Sequence, residues 1–369
     1  MMSPQVEIQL IAAVTAAACS LVGTFLVLRR MAMMSDAISH SILLGIVVAF
    51  LAVGDLASPW LVLGAAVTGV LTVALVETLH RTRLVKEDAA IGLVFPALFS
   101  LGVILLARHA GAVHLDTDVV LLGELAFAPF DRFAPGGTDL GPRSLWMAGG
   151  VLLLDAAALA LFFKELKLAT FDAGLAATLG FAPALIHYGL MSLVSVTAVA
   201  SFDAVGLVLV VALMVGPPAA AHLLTDRLPR LLGLAVLMGA ASAVGGYWLA
   251  RWLDVSIAGA MAATVGFVFL LALLLAPQRG LVAAARRRAT QRLEFALAML
   301  AIHVAQHECG PDAGDECRAD RVHLHLHWEP DFSEAVLRAA EQRRLLRRED
   351  GLVRLDEAGR DLARGALTR

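Results

Sequence analysis

The sequence predicts an all-α polytopic membrane protein of about eight to nine transmembrane helices, N-terminus outside, with a small cytoplasmic α+β tail. Three observations predict it. The 369 residues are 59% hydrophobic, and the mean hydropathy of +0.79 exceeds that of soluble domains of this size. Apolar runs long enough to cross a bilayer recur through residues 1–278. After Pro277 the composition changes, and arginines crowd residues 279–369, which read as a separate domain.

The apolar runs fall at 6–28, 33–53, 59–79, 89–107, 145–163, 183–201, 204–221, 231–250 and 255–276. Each approaches the roughly 20 residues a spanning helix needs. The sixth and seventh are separated only by Phe202-Asp203, so the count can differ by one. The first run is too long for a signal-peptide core, and Arg29-Arg30 follow it, so it reads as a retained helix. Basic residues set the orientation. One set of loops carries Arg29, Arg30, Arg81, Arg83, Lys86, Lys164, Lys167, Arg227 and Arg230; the alternate set carries only Arg108, Arg132, Arg143 and Arg251. The first set is therefore cytoplasmic, and so is the tail.

A net charge of -3 says little about partners. Cys19, Cys309 and Cys317 have no regular spacing, which argues against a disulfide framework. Lys86, Lys164 and Lys167 lie outside any glycine-rich phosphate loop, so the chain is read as a non-enzyme without an ATPase site of its own.

Two stretches are too short or too polar to span. The outer segment 119–127 reads as a re-entrant or surface helix. The inner segment 171–180, from Phe171-Asp172 to Gly180, reads as a short helix with a glycine stop. Its Phe171, Leu175 and Leu179 recur at helical spacing, so one face wants a partner or the membrane.

The most informative pair is Asp36 and His40, one turn apart at the start of the second run. A carboxylate at mid-bilayer costs at least about 3 kcal/mol, so ionisable residues there are functional by default. Residues four apart share a helix face, with Cβ atoms roughly 6 Å apart. Carboxylate and imidazole together suit a divalent transition metal. The competing reading makes Asp36 an interfacial cap and His40 a packing residue. Glu77, Asp155, His187, Asp203 and His222 are weaker intramembrane candidates. Pro217-Pro218 reads either as a break in the seventh helix that frees carbonyls to line a cavity, or as an ordinary helix end.

Several segments together resemble the permease subunit of ABC importers for manganese, zinc or ferrous iron. They are Met34-Ser35-Asp36-Ala37-Ile38-Ser39-His40, Lys86-Glu87-Asp88-Ala89-Ala90-Ile91-Gly92, Phe171-Asp172 with Ala177 and Gly180, and Ala204-Val205-Gly206-Leu207 running into Pro217-Pro218-Ala219. The resemblance covers most of residues 20–225. It implies that Asp36 and His40 coordinate the transported ion, which is cargo; no cofactor is permanently bound. It implies two permease copies or paralogues, cytoplasmic ABC ATPase subunits and an extracytoplasmic metal-binding protein. A two-fold axis would then gather two aspartates and two histidines. The segment containing Phe171, Asp172 and Gly180 corresponds to the coupling helix that docks on the ATPase.

In the tail, 289–307 reads as an amphipathic helix. Asp331-Phe332-Ser333-Glu334 reads as a capping box before a helix at 335–348, and 351–355 as a wing strand before a last helix at 356–366. The run from Glu349 to Arg360 resembles the winged helix of metal-dependent repressors. The alternation in Val322-His323-Leu324-His325-Leu326-His327 suggests a strand. His303, His307, Cys309, Cys317, His323, His325 and His327 have the residue types of a metal site but no standard zinc spacing; scattered polar histidines are the alternative. Arg338, Arg343, Arg344, Arg347 and Arg348 could touch phosphate, but interleaved acids make nucleic acid a poor partner. Two other functions compete with metal permeation. One is a cobalamin or iron-chelate permease, which has no need of Asp36 and His40. The other is a membrane-tethered metal sensor with a DNA-binding tail.

Overall fold

The computed structural model describes residues 3–54, 58–109, 125–133, 139–310 and 313–367, and of Pro59 and Asp203 the backbone alone. They form two compact units, Met1–Gly280 and Leu281–Arg369.

The first unit is helical. Its elements are α1 (Pro4–Leu28), α2 (Ala32–Val53), α3 (Pro59–Arg81), α4 (Glu87–His109), α5 (Arg143–Leu161), α6 (Phe163–Phe171), α7 (Ala173–Thr178), α8 (Pro183–Leu224), α9 (Leu228–Leu253) and α10 (Ile257–Leu275). Proline opens α1, α3 and α8, where its missing N–H is no loss. Among the described residues nine segments are long and apolar enough to span a membrane, with α8 supplying two of them. The segment expected to be helical at 119–127 lies, up to Glu124, outside the described residues; Leu125–Phe127 form a turn.

The unit is built around α1, which packs on α5, α8 and α9, while α2 packs on α3, α4 and α8. The buried face of α1 includes Ala12, Ala16, Cys19, Ser20 and Gly23. Small residues let neighbouring backbones approach, which is how helices associate where lipid removes the hydrophobic drive.

The 42-residue α8 would be about 63 Å long if straight, about twice a bilayer core. It breaks at Gly206, where φ 75° and ψ 166° are essentially glycine-only values. Its neighbours on α1 show the consequence. His187 meets Arg29 and Ser201 meets Cys19; beyond the break Leu213 meets Ser20 and Met214 meets Gly23. The contacts run from the C-terminal end of α1 back to Cys19 and then forward again to Gly23, so the chain doubles back at Gly206. The turn thus comes a few residues after Phe202-Asp203, where the sequence placed it.

The helix does not break at Pro217-Pro218, which stay inside its second arm. Each proline removes a donor from the carbonyl four residues earlier. Those carbonyls belong to Leu213 and Met214, and both face α1. Ser20 Oγ donates to Leu213 O at 3.4 Å, and Gly23 leaves so little room at Met214 O that an added Cβ would collide with it. The freed carbonyls are covered by α1 rather than lining a cavity.

The tail unit contains α11 (Leu281–His307), α12 (Ala313–Glu316), α13 (Val322–His325), α14 (Pro330–Gln342), the antiparallel hairpin β1 (Leu346–Glu349) and β2 (Leu352–Leu355), and α15 (Glu357–Leu367). Leu297, Leu300, Val304, Val336, Leu337 and Val353 are among its buried core. Three expectations are corrected. The 322–327 segment is a short helix rather than a strand, because the free edge of β2 is taken: Val353 N donates to Cys317 O and Ala319 N to Gly351 O. The capping box is absent: Pro330 starts α14 with Glu329 as its cap, and Glu334 pairs with Arg338 and Arg348 instead. That helix ends at Gln342, and residues up to 348 that were expected to prolong it turn through Arg344 (φ 55°) into β1.

Candidate metal site in the membrane

Asp36 and His40 lie in the first turns of α2, with Nε2 of His40 3.5 Å from Oδ1 of Asp36. Met34, Ser35, Ala37, Ile38 and Ser39 around them are buried. The pair is not: the side chains of Asp36 and His40 are 38% and 31% exposed. The His40 ring stacks on Phe95 of α4 at 5.7 Å and meets the edge of Phe99 at 6.0 Å. The two aromatic rings limit how far the imidazole can swing. A single chain therefore presents one carboxylate and one imidazole on an open face of a spanning helix, too few ligands for a closed metal site.

The weaker candidates lie elsewhere. Asp155 of α5 is fully buried, and the Thr197 hydroxyl donates to its carboxylate at 2.9–3.0 Å. His222 faces Arg279, which also pairs with Asp226 at 2.6 Å. Only the backbone of Asp203 is described, three residues before the Gly206 break.

Glu77 and His187 meet at 3.6 Å, and Arg29 reaches His187 at 3.3 Å. With Met34, His80 and Glu87 they line a cavity of about 200 Å³ at the end of the spans that carries the dense basic loops. His80 and Glu87 were not singled out from sequence. They sit at the end of one helix and the start of the next, and only packing brings them together. Arg132 was also missed as a partner. It clasps buried Glu7 at 2.9 Å and Asp139 at 2.7 Å. The guanidinium, with a backbone hydrogen bond from Gly141, holds the Asp139 carboxyl below the usual carboxylate range.

Phe171 ends α6, and Asp172 caps α7 by accepting from Leu175 N at 2.8 Å. Gly180, with φ 86°, turns the chain after α7. The short helix expected within 171–180 is there, at Ala173–Thr178 with Gly180 after it; the Asp172 side chain competes for the backbone and so separates it from α6. Phe171 and Leu179 are each 61% exposed and Leu175 is exposed beside them, so this chain leaves their apolar surface unpaired.

In the tail, His303, His307 and Glu316 place one ligand atom each within 4.8 Å of one another. His325 Nδ1 lies 3.1 Å from the Glu316 carboxylate. Cys309, His323, His325 and His327 fall outside this group of three, with His325 touching it through Glu316 alone, and Glu316, unnoticed in the sequence, belongs to it.

The family description "ABC 3 transport family" matches residues 5–276. The chain is 47% identical over 361 residues to the zinc transport system membrane protein TroD of Treponema pallidum, covering 98% of both chains, tail included. It is 52% identical over 264 residues to the manganese transport system membrane protein MntD of Bacillus subtilis, covering 72% of this chain and 89% of that one. Among solved structures it is similar to PsaBC from Streptococcus pneumoniae in complex with Fab, with 26% identity and a TM-score of 0.63 over 75% of this chain and 94% of that one. With its candidate spans, this chain belongs to the ABC 3 transport family, as a multi-pass protein of the bacterial inner membrane.

Proposed function

We propose that the chain is the permease subunit of an ABC importer for a divalent transition metal (manganese, zinc or ferrous iron) and that Asp36 and His40 hold the ion in transit. The observation that carries this is the open face of the pair. An ionisable couple in a spanning helix that its own chain leaves a third exposed needs a partner outside the chain. A second permease copy across a two-fold axis supplies a second aspartate and histidine, giving four oxygen and nitrogen ligands. The absence of thiolate from that set keeps binding weak enough for the ion to leave. The relatives named for zinc and manganese transport support the cargo class.

Cytoplasmic ABC ATPases drive transport by docking on the exposed surface of Phe171, Leu175 and Leu179, with Asp172 and Gly180 shaping the segment. An extracytoplasmic metal-binding protein delivers the ion to the opposite face. The basic loops put this docking segment, the cavity at Glu77 and His187, and the tail on the cytoplasmic side. We read the tail's α14, hairpin and α15 as a winged-helix-like module with a regulatory rather than a nucleic-acid role. Arg338, Arg343, Arg347 and Arg348 are each paired with an acid of the same unit.

The test is uptake of radiolabelled manganese and zinc by cells co-expressing the ATPase and binding protein. Asp36→Ala and His40→Ala are each expected to reduce uptake to background with the transporter still assembled. Uptake at the wild-type rate in both variants would refute the assignment.

A further inference from the structure

We propose that His303, His307, Glu316 and His325 form a second binding site for a divalent transition metal, in the tail and separate from the transport pair. The site is assembled from three short pieces of chain. His303 and His307 lie four apart on α11 and so share a face, with ring centroids 4.9 Å apart. Glu316 closes α12, and His325 closes α13. The Glu316 carboxylate is the hub, 3.1 Å from His325 Nδ1 and 3.5 Å from His303 Nε2. The His303 and His325 rings are nearly parallel at 6.0 Å.

Three imidazoles and a carboxylate suit zinc in a tetrahedral site and are accepted by manganese, iron and cobalt. Metal–nitrogen distances near 2.0–2.1 Å place tetrahedral ligand atoms about 3.3 Å apart. Two of the pairs already meet at that scale, and His303, His307 and Glu316 lie within 4.8 Å of one another; His325 touches the hub from outside that trio and swings in to complete the four. The exposures of His303, Glu316 and His325 are 12%, 26% and 25%, enclosed enough to hold an ion and open enough to admit one. Helical spacing accounts for His307 beside His303, and His303 Nε2 also meets the Glu316 backbone carbonyl at 3.0 Å; what marks the place out is that two further chain pieces bring a carboxylate and a third imidazole to the same face.

The site also has a mechanical consequence. Cys317, next to the hub, accepts from Val353 N of β2 at 2.8 Å, and Ala319 N donates to Gly351 O at the hairpin turn. An ion that draws Glu316 toward α11 therefore fixes the hairpin on the same helix. If the chain carries metal, as proposed above, the tail reads the concentration of that cargo; metal binding itself does not depend on that reading.

The test uses the full-length chain, purified through a non-histidine tag, with Asp36→Ala and His40→Ala in place so that the proposed transport pair cannot answer. Cobalt(II) is titrated as an absorbing probe and zinc as its competitor. The expected result is one cobalt per chain with a tetrahedral spectrum that zinc displaces. Glu316→Gln and His303→Ala each weaken binding at least tenfold; Cys309→Ser and His323→Ala leave it unchanged. Zinc slows amide exchange in the β1–β2 hairpin. Glu316→Gln preserves shape, so it decides the case if His303→Ala loosens the tail. No cobalt bound in the Asp36→Ala, His40→Ala chain, or cobalt affinity unaltered by Glu316→Gln, overturns the proposal.

Discussion

Asp36 and Asp155 are both carboxylates inside spanning helices, and the chain treats them in opposite ways. Asp155 is enclosed by α5 and α8 and takes its hydrogen bond from Thr197. Asp36 is open and lies beside a histidine held by two phenylalanines. A carboxylate enclosed by its own chain is satisfied internally and serves packing. One left a third exposed in a span is the better candidate for a partner outside the chain, as proposed for Asp36. The default that intramembrane ionisable groups are functional therefore needs exposure as a second criterion, and here exposure ranks the two.

The largest effect expected is on transport. Asp36→Ala and His40→Ala abolish metal uptake with only a small fall in the melting temperature of the purified chain, because each side chain is about a third exposed and His40 gives up only its contacts with Phe95 and Phe99. Thr197→Val reverses that pattern. It strips the Asp155 carboxylate of its hydroxyl donor in an apolar surrounding and costs about 1–3 kcal/mol, seen as a lowered melting temperature. Gly206→Ala tests the internal scaffold at a similar scale. A Cβ at φ 75° and ψ 166° costs about 1–3 kcal/mol and should lower the yield of folded chain.

Asp172→Ala removes the cap on α7 and costs about 1 kcal/mol locally, with a reduced ATP hydrolysis rate in the assembled transporter. Phe171→Ala separates the two roles of that segment, because an exposed side chain lowers ATPase coupling while leaving the melting temperature alone. The smallest effect concerns the Arg132 clasp. Asp139 has its carboxyl pulled below the usual range, so its contribution is complete above that range. It is lost as pH falls through and below it, and Arg132→Gln should flatten that acid limb in a melting-temperature series.

The spans were legible because a bilayer demands long apolar runs, and each of nine runs found its helix. The turn between the sixth and seventh was less so. Phe202-Asp203 carries the polarity, but Gly206 carries the conformation, and polarity is the louder signal. Pro217-Pro218 misled for a related reason, since nothing local reveals that Ser20 and Gly23 lie opposite the carbonyls they free. In the tail, Leu346–Glu349 is too charged to stand out as a strand, and the alternation at 322–327 had no sheet edge left to join. The Asp36–His40 spacing was visible in the chain because both residues lie on one helix. The groupings of Glu77 with His187, and of Glu316 with three histidines, exist only after packing.

Asp36→Asn and Asp155→Asn, measured side by side for manganese and zinc uptake and normalised to assembled transporter, separate the two carboxylates. Asparagine keeps an acceptor for Thr197 but removes the charge an ion needs. Uptake is expected at background for Asp36→Asn and within about twofold of wild type for Asp155→Asn, the scale of an ordinary hydrogen-bond adjustment. Uptake retained by Asp36→Asn and lost by Asp155→Asn would contradict that expectation and move the ion path to the enclosed carboxylate.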